Sequence, residues 1–150
     1  MDSVRVATTS EGGVPVVLLG PGSDEPEAED GEVVPVFIGF DEAVSIARGL
    51  DAVDIGRPLT HDLLLDVVEE LGGRVDAVVV AAIEDGTYVA DLHLDTPRGE
   101  VVVDARPSDS LALAARTNAR IELAERVYEA SREPVGEFEE FADIREVAGL

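Results

Sequence analysis

The chain has 150 residues, of which 45% are apolar but only 4% aromatic, so it can form one domain with an aliphatic core. The absence of cysteine excludes disulfide bonds and thiolate metal sites. No apolar run approaches the roughly 18 residues of a membrane span, and the N-terminus lacks the pattern of a secretory signal. We therefore expect a cytoplasmic protein without a membrane partner.

The net charge is −22, and all 11 basic residues are Arg. Charge of one sign at this density repels itself in dilute buffer, whereas at molar salt the screening length falls to about 3 Å. The composition therefore predicts a halophilic protein with an acidic surface. The alternative is an ordinary acidic protein from a GC-rich genome, which also favours Arg over Lys.

Three strands and one helix are predicted in the first third of the chain. Residues 3–9, 14–19 and 33–39 have the composition of strands, and Pro15 indicates that the second strand lies at an edge or begins there. Residues 20–32 include six acids with Gly and Pro, which predicts a flexible loop. The apolar spacing of residues 40–50 predicts a helix.

The central third predicts a second helix followed by two hairpins. Thr60 is the expected N-cap of the helix, which ends at Gly72–Gly73. Strands over 75–83 and 87–95 flank Asp85–Gly86, a strong hairpin signal. A further turn over residues 96–99 leads into a strand that ends at Ala105.

The last third begins with a helix over 107–118, with Pro107 at its first position. A short strand over 120–123 and a helix over 124–132 follow, and the acidic tail 133–150 has a weak helical pattern around 138–147. This order predicts one α+β domain, with a mixed, largely antiparallel sheet and three to four helices. We assign residues 1–132 to the domain, including the loop 20–32, and 133–150 to a tail.

Several uncommon strings resemble the bifunctional nuclease (BFN, DUF151) family over roughly residues 14–132. The strings are Val36-Phe-Ile-Gly39, Glu42-Ala43, Arg57-Pro-Leu-Thr-His-Asp-Leu63, Asp85-Gly-Thr-Tyr88, Asp104-Ala-Arg-Pro-Ser-Asp109, Leu111-Ala-Leu-Ala114 and Arg116-Thr117. Ser110 departs from the pattern, which more often has Ala at this position. The resemblance implies an α+β fold, frequent homo-oligomers, and nuclease activity on DNA and RNA.

The first candidate site lies at the start of the second predicted helix. Arg57 and Thr60 are candidate substrate-binding residues, because Arg57 can bind a phosphate and backbone N–H groups of the first turn point to the same place. His61 is the candidate general acid or base. The alternative is structural, with Thr60 as an ordinary cap and His61 exposed.

The second candidate site lies at the junction of the strand that ends at Ala105 and the helix after it. Asp104 and Asp109 are candidate catalytic residues and ligands of Mg²⁺ or Mn²⁺, and Arg106 and Ser108 are candidate substrate-binding residues. In the alternative, Asp109 caps the helix and pairs with Arg106. His93 between Asp91 and Asp95 indicates a solvated strand face rather than a metal site.

These residues support two hypotheses from different classes. One is a metal-assisted nuclease whose partner is a nucleic acid substrate. The other is a non-enzymatic oligomeric binding module that uses the same junctions. A single open cleft containing both sites favours the nuclease, whereas burial of these side chains in mutual pairs favours the binding module.

Overall fold

The computed structural model of the chain describes residues 3–9, 12–20, 31–51 and 56–148, so most of the predicted loop 20–32 lies outside the described residues. The strands are β1 (Ser3–Thr9), β2 (Gly12–Leu19), β3 (Glu32–Phe37), β4 (Arg74–Glu84), β5 (Thr87–Thr96), β6 (Gly99–Ala105), β7 (Arg120–Leu123), β8 (Glu133–Pro134) and β9 (Ala142–Asp143). The helices are α1 (Phe40–Leu50), α2 (Thr60–Glu70), α3 (Pro107–Thr117), α4 (Glu125–Ser131) and α5 (Ile144–Ala148), with a 3-10 helix at Val135–Phe138. The predicted positions of the first seven strands and first four helices are confirmed within a few residues.

Two sheets form the framework, one with the strand order β8-β3-β2-β1-β9 and the other with β6-β5-β4-β7. Within the described residues, the strand pairs are antiparallel except for β4 with β7. The α+β class with a mixed, largely antiparallel arrangement is therefore confirmed. Because β2 is an interior strand, the expectation of an edge position is wrong. Pro15 is tolerated there because the ladder with β3 begins one residue later, at Val16.

Both predicted hairpin turns are present. Asp85 and Gly86 have φ values of 51° and 78°, the left-handed conformation that a tight turn between β4 and β5 requires. Gly99 has a φ of 107° and follows the turn between β5 and β6. These hairpins fix the register of the four-stranded sheet and therefore the face on which each of its side chains lies.

Helix α3 is deeply buried, and its apolar residues join the hydrophobic clusters of both sheets. Pro107 occupies its first turn as predicted, and the following segment from Ser110 to Ala114 is buried. Leu111 and Ala112 pack in a cluster with β2, β3 and α1, whereas Leu113 and Ala114 pack on β4 and β5. Helix α3 also packs against α1 and α2.

The C-terminal segment forms more than the predicted weak helix. Its 3-10 helix and α5 are separated by β9, because strand pairing with β1 interrupts the helical pattern. Strand β8 pairs with β3, and Phe138 packs on Val16, Leu18 and Val33. The domain division at residue 132 stays a prediction. Among the described residues, no helix has the length and apolar character needed to cross a membrane.

Candidate active site

His61 is hydrogen-bonded on both sides by residues from other helices. It lies in the first turn of α2, with Nδ1 2.7 Å from Oγ of Ser45 on α1 and Nε2 3.0 Å from Oδ1 of Asp109 on α3. The His61 side chain is 16% exposed. Two of the predicted catalytic residues, His61 and Asp109, are therefore brought together although they are 48 positions apart in the chain.

Arg116, Ser45, His61 and Asp109 form a hydrogen-bonded series that begins with a guanidinium group and ends with a carboxylate. Nη2 of Arg116 lies 3.1 Å from Oγ of Ser45 and can only donate. The Ser45 hydroxyl therefore accepts from Arg116, and its hydrogen and second lone pair allow it either to donate to Nδ1 of His61 or to accept from it. The other ring nitrogen, Nε2, carries the hydrogen that it donates to the Asp109 carboxylate.

Arg116 holds the three helices together behind His61. Its side chain is only 8% exposed, and its Nε donates to Oδ1 of Asp62 at 2.7 Å. Its Nη1 donates at 2.9 Å to the backbone carbonyl groups of Ser45 and Ala112. Since these partners belong to α1, α2 and α3, Arg116 fixes the positions from which the Ser45, His61 and Asp109 side chains extend.

The start of α2 differs in detail from the prediction. Leu59, not Thr60, is the N-cap, and Thr60 is the first residue of the helix. The backbone N–H of Leu59 donates to Oδ2 of Asp62 at 3.0 Å, so a carboxylate within the first turn, and not the hydroxyl of Thr60, accepts a backbone hydrogen bond at this end of the helix. Burial alone raises the pKa of Asp62, but hydrogen bonds from Arg116 and Leu59 outweigh it and bring the pKa below its ordinary value.

Arg106 connects Asp109 to the surface. Its Nε donates to Oδ2 of Asp109 at 2.9 Å, and its Nη1 lies 3.0 Å from Oε1 of Glu42. Burial raises the pKa of Asp109, but the hydrogen bonds from Arg106 and His61 together bring it below its ordinary value. The predicted Arg106–Asp109 pair is present, whereas α3 has no side-chain cap. The Arg106 side chain remains 68% exposed.

Arg106 lines an open groove of about 520 Å³. It is lined by Val36, Phe37, Ile38, Gly39, Glu42, Gly86, Thr87, Tyr88, Arg106, Pro107 and Ser108. The groove therefore receives the N-termini of both α1 and α3, where backbone N–H groups favour an anion. Ser108 is only 5% exposed and lines the same groove. Ser108 and Arg106, both predicted to bind substrate, thus line one concave surface.

The structure does not bring Asp104 to this site. Asp104 on β6 is directly opposite Asp91 on β5, and neighbouring strand residues that are opposite each other share a face. The adjacent residue Leu92 faces α3, where it packs with Leu113 and Ala114. Asp91 and Asp104 therefore lie on the other face of the sheet, away from Asp109.

The predicted metal pair of Asp104 and Asp109 does not fit this geometry. Oδ1 of Asp109 is bonded to His61 and Oδ2 to Arg106, so hydrogen bonds already use both oxygens. Across the residues that the structure describes, no three His, Asp or Glu side chains form a group suited to a metal. No step of the chemistry is therefore assigned to a metal bound by these two carboxylates.

Arg57 and Thr60 lie near the entrance to α2 without joining the hydrogen-bonded series. Both are exposed, and no hydrogen bond connects either of them to His61 or Asp109. Their predicted role in substrate binding stays a prediction. The side chains brought together are thus His61, Asp109 and Arg106, with Ser108 on the adjoining wall of the groove.

Comparison with known proteins supplies the family. The sequence model of the bifunctional nuclease domain matches residues 26–136, a range that contains the groove and the whole Ser45–His61–Asp109 series. The chain belongs to the bifunctional nuclease domain family. The family resemblance found in the sequence motifs is thereby confirmed.

Curated relatives cover the same central region. The chain is 39% identical over 113 residues to uncharacterized proteins from two strains of Mycobacterium tuberculosis. The matched region is 75% of this chain and 63% of those proteins, so the chain spans less than two thirds of their length. It is also 28% identical over 100 residues to Bifunctional nuclease 2 of Arabidopsis thaliana, which covers 63% of this chain and 30% of the plant protein.

Three residues of the site were not predicted from the sequence of this bifunctional nuclease domain. Ser45 and Glu42 lie within α1, where isolated polar residues ordinarily indicate a solvated helix face. Arg116 carried a usable signal, because a charged residue near the end of an otherwise buried helix needs a partner. The identity of that partner depends on how α1 and α2 pack, which local sequence does not specify.

Proposed function

We propose that the chain hydrolyses phosphodiester bonds of DNA or RNA bound in the groove beside Arg106. One observation carries this proposal, namely that Arg106 belongs to both parts of the site. Its guanidinium group bonds to Asp109, the partner of His61, and the same side chain lines the groove. Family membership and the similarity to a plant protein named as a bifunctional nuclease support the reaction class.

In this proposal Arg106 and Ser108 bind the phosphate. A guanidinium group suits phosphate oxygens because its donors lie in one plane, and it also stabilises the charge that develops during the reaction. The hydroxyl of Ser108, which lines the groove, supplies one more donor there. The guanidinium group of Arg106 bonds to Glu42 as well as to Asp109, and its side chain is still 68% exposed, so a phosphate can reach it from the groove.

His61 is the proposed acid or base, and Asp109 orients it. Both ring nitrogens are occupied, so His61 can exchange a proton with water or substrate only after it releases Ser45 or Asp109. Hydrogen bonds in catalytic sites commonly rearrange when substrate binds. Ser45 and Arg116 act in this proposal as positioning residues that hold the His61 ring in place.

Assistance by Mg²⁺ or Mn²⁺ is part of the proposed reaction, with ligands other than an Asp104–Asp109 pair. A hydrated Mg²⁺ commonly binds one or two carboxylates and keeps several waters, some of which substrate phosphates replace. Cleavage that persists at full rate in a chelator would remove the metal from the proposal while leaving the roles of His61 and Arg106 intact.

The central experiment measures cleavage of labelled single-stranded and duplex substrates at high KCl with Mg²⁺ or Mn²⁺. We expect Asp109→Asn and Arg106→Gln each to reduce the rate by about 100-fold or more, the range typical of proton-transfer and charge-stabilising groups. Asp104→Asn is the matched control and retains the wild-type rate. Loss of activity in Asp104→Asn with full activity in Asp109→Asn would refute this site assignment.

A non-enzymatic, oligomeric binding module is the second candidate, and two observations favour it. His61 and Asp109 are bonded to each other rather than open to solvent. Helix α2 also exposes an apolar face, with Leu63 55%, Val67 47% and Leu71 74% exposed. Such a face is typical of a surface covered by a partner, here a second copy of the chain.

Self-association can be tested separately from catalysis. We expect light scattering to show a homo-oligomer whose mass falls to that of the monomer in Val67→Gln/Leu71→Gln, because these uncharged side chains remove apolar contact area. A monomeric wild-type protein would refute the oligomer. Wild-type binding of nucleic acid without cleavage under any metal condition would favour the binding module over the nuclease.

A further inference from the structure

Phe37 is an exposed aromatic residue inside the groove. The chain has four Phe and two Tyr, so aromatic side chains are scarce. Phe138 is buried and stacks edge-on against Phe141, and the hydroxyl of Tyr88 donates to the carbonyl of Pro35. Phe37, the last residue of β3, is instead 58% exposed and lines the groove. Its position is not explained by packing of the core.

Donors for a phosphate lie in the same groove as this phenyl ring. Arg106 is 68% exposed, and Ser108, which carries a hydroxyl group, lines the same groove. The groove of about 520 Å³ falls within the size range of small-molecule sites, roughly 300–1,000 Å³. An aromatic face and phosphate donors in one concavity match the two parts of a nucleotide.

Electrostatic attraction cannot supply the affinity of this groove. Its charged lining residues among those described are Glu42 and Arg106, which neutralise each other, while the whole chain carries −22. Nucleic-acid binding that depends on Lys and Arg weakens steeply with salt because it depends on counterion release. Stacking of a base on an aromatic ring adds affinity without charge and tolerates any sequence.

We propose that the groove is a subsite for single-stranded nucleic acid, in which an unpaired base stacks on Phe37 and the adjacent phosphate binds Arg106 and Ser108. The inference rests on the proposed function and narrows its substrate class. Bases within a duplex are already stacked and paired, so they cannot reach Phe37 without being unpaired. The subsite therefore selects single strands, and its affinity depends little on salt.

The test measures binding of a fluorescent oligothymidylate and a matched duplex by anisotropy, with chelator present to prevent cleavage. We expect the wild-type protein to prefer the single strand. Phe37→Ala should weaken single-strand binding by about tenfold or more, within the range that base stacking gives. Phe37→Trp should bind at least as tightly as wild type, because indole also offers an aromatic face.

Phe40→Ala is the matched control. Phe40 is 44% exposed three residues away, but it does not line the groove, so its removal should leave affinity unchanged. Single-strand affinity should also change less than about tenfold between about 0.1 and 1 M KCl, a smaller loss than six or more phosphate contacts would produce.

The outcomes separate this inference from the proposed function. Equal single-strand affinity in wild type and Phe37→Ala, or a wild-type preference for duplex, would overturn the Phe37 subsite while leaving phosphodiester hydrolysis in place. A wild-type protein that binds neither oligonucleotide and cleaves neither would refute both. Equal losses in Phe37→Ala and Phe40→Ala would also refute the subsite, because they would indicate a general effect on structure.

Discussion

The two histidines of this domain have carboxylates nearby but occupy opposite environments. His61 lies in the helical layer, where Ser45 and Asp109 engage both of its ring nitrogens. His93 lies on β5 between Asp91 and Asp95, on the face of the sheet away from α3. No hydrogen bond joins its ring to the part of the chain that the structure describes. A His with acidic neighbours in sequence is thus not equivalent to a His fixed by acids in space.

The difference identifies what makes the helical layer a candidate for chemistry. His61 is positioned by residues that are far away in the chain, and Arg106 links its partner Asp109 to an open groove. His93 shares a face with Asp104 and Asp91 but with no comparable set of bonds. We therefore expect substitutions in the helical layer to alter activity and stability strongly, and matched substitutions on the open sheet face to alter them weakly.

Replacement of each histidine gives the largest expected contrast. His61→Gln should reduce nuclease turnover by about 100-fold or more, since positioned acid–base groups contribute on this scale. His93→Gln should leave turnover within about threefold of wild type, because its ring has no link to the groove. Turnover is measured on folded protein, verified by circular dichroism. A similar loss in both variants would remove the distinction between the two sites.

Two arginines provide the corresponding test of stability. Arg116→Met should lower the free energy of unfolding by about 3 kcal/mol, the scale for breaking a buried ion pair at one partner. Arg120→Met should lower it by less than about 1 kcal/mol, because Arg120 is 67% exposed in its pair with Asp76. Urea unfolding measures both values. Equal effects would show that Arg116 is not the residue that holds the helices together.

Salt should stabilise the domain through its surface rather than through the helical layer. With a net charge of −22, screening between about 0.1 and 1 M KCl should raise the free energy of unfolding. The increase should be retained in Arg116→Met, because its source is repulsion spread over the surface. Thermal unfolding at several KCl concentrations measures the effect. Unchanged or falling stability across this range would contradict halophilic adaptation.

Acid should weaken the helical layer through Asp109 and Asp62. Both carboxyl groups have a lowered pKa in the folded chain, so they stabilise it above their unfolded value of 3.8 and lose this contribution as the pH falls through the folded pKa. The stability difference between wild type and Asp109→Asn should therefore shrink as the pH falls below about 4. Urea unfolding across this range is the measurement. A constant difference would contradict the lowered pKa of Asp109.

The smallest predicted effect concerns two serines with opposite surroundings. Ser110 is fully buried, and its hydroxyl has no partner among the described residues, so Ser110→Ala should stabilise the domain by about 1 kcal/mol. Ser45→Ala should destabilise it by about the same amount, because its hydroxyl bonds to His61 and Arg116. Thermal unfolding distinguishes the signs. Destabilisation of Ser110→Ala would indicate that its hydroxyl has a partner after all.

Local signals in the sequence were sufficient for most of the fold. Asp85–Gly86 specifies a left-handed turn that few other residue pairs adopt, and Pro107 marks a helix start because its missing N–H needs no partner there. The C-terminal segment was harder to predict. Strand β9 forms because β1 supplies backbone partners, and nothing within a two-residue strand encodes that pairing.

The candidate site was only partly predictable for the same reason. His61 and Asp109 were selected by residue type, but their contact depends on the packing of α2 against α3. Alternation along β6 could have separated Asp104 from Asp109 before the structure was known. Asp104 and Ala105 must face opposite sides, and Ala105 faces the core. Ser45 could not be predicted, because only tertiary packing distinguishes it from a solvated helical serine.

The two short C-terminal strands bear on how readily the five-stranded sheet can pair with another molecule. β8 and β9 cover opposite margins of the five-stranded sheet, so the strands that would otherwise be outermost, β3 and β1, already have backbone partners. Uncovered strand margins recruit other chains and lead to fibrous or amorphous aggregates. The short strands within residues 133–143 therefore reduce the length of strand margin that is free to pair with a neighbouring molecule, and this protection does not depend on charge repulsion.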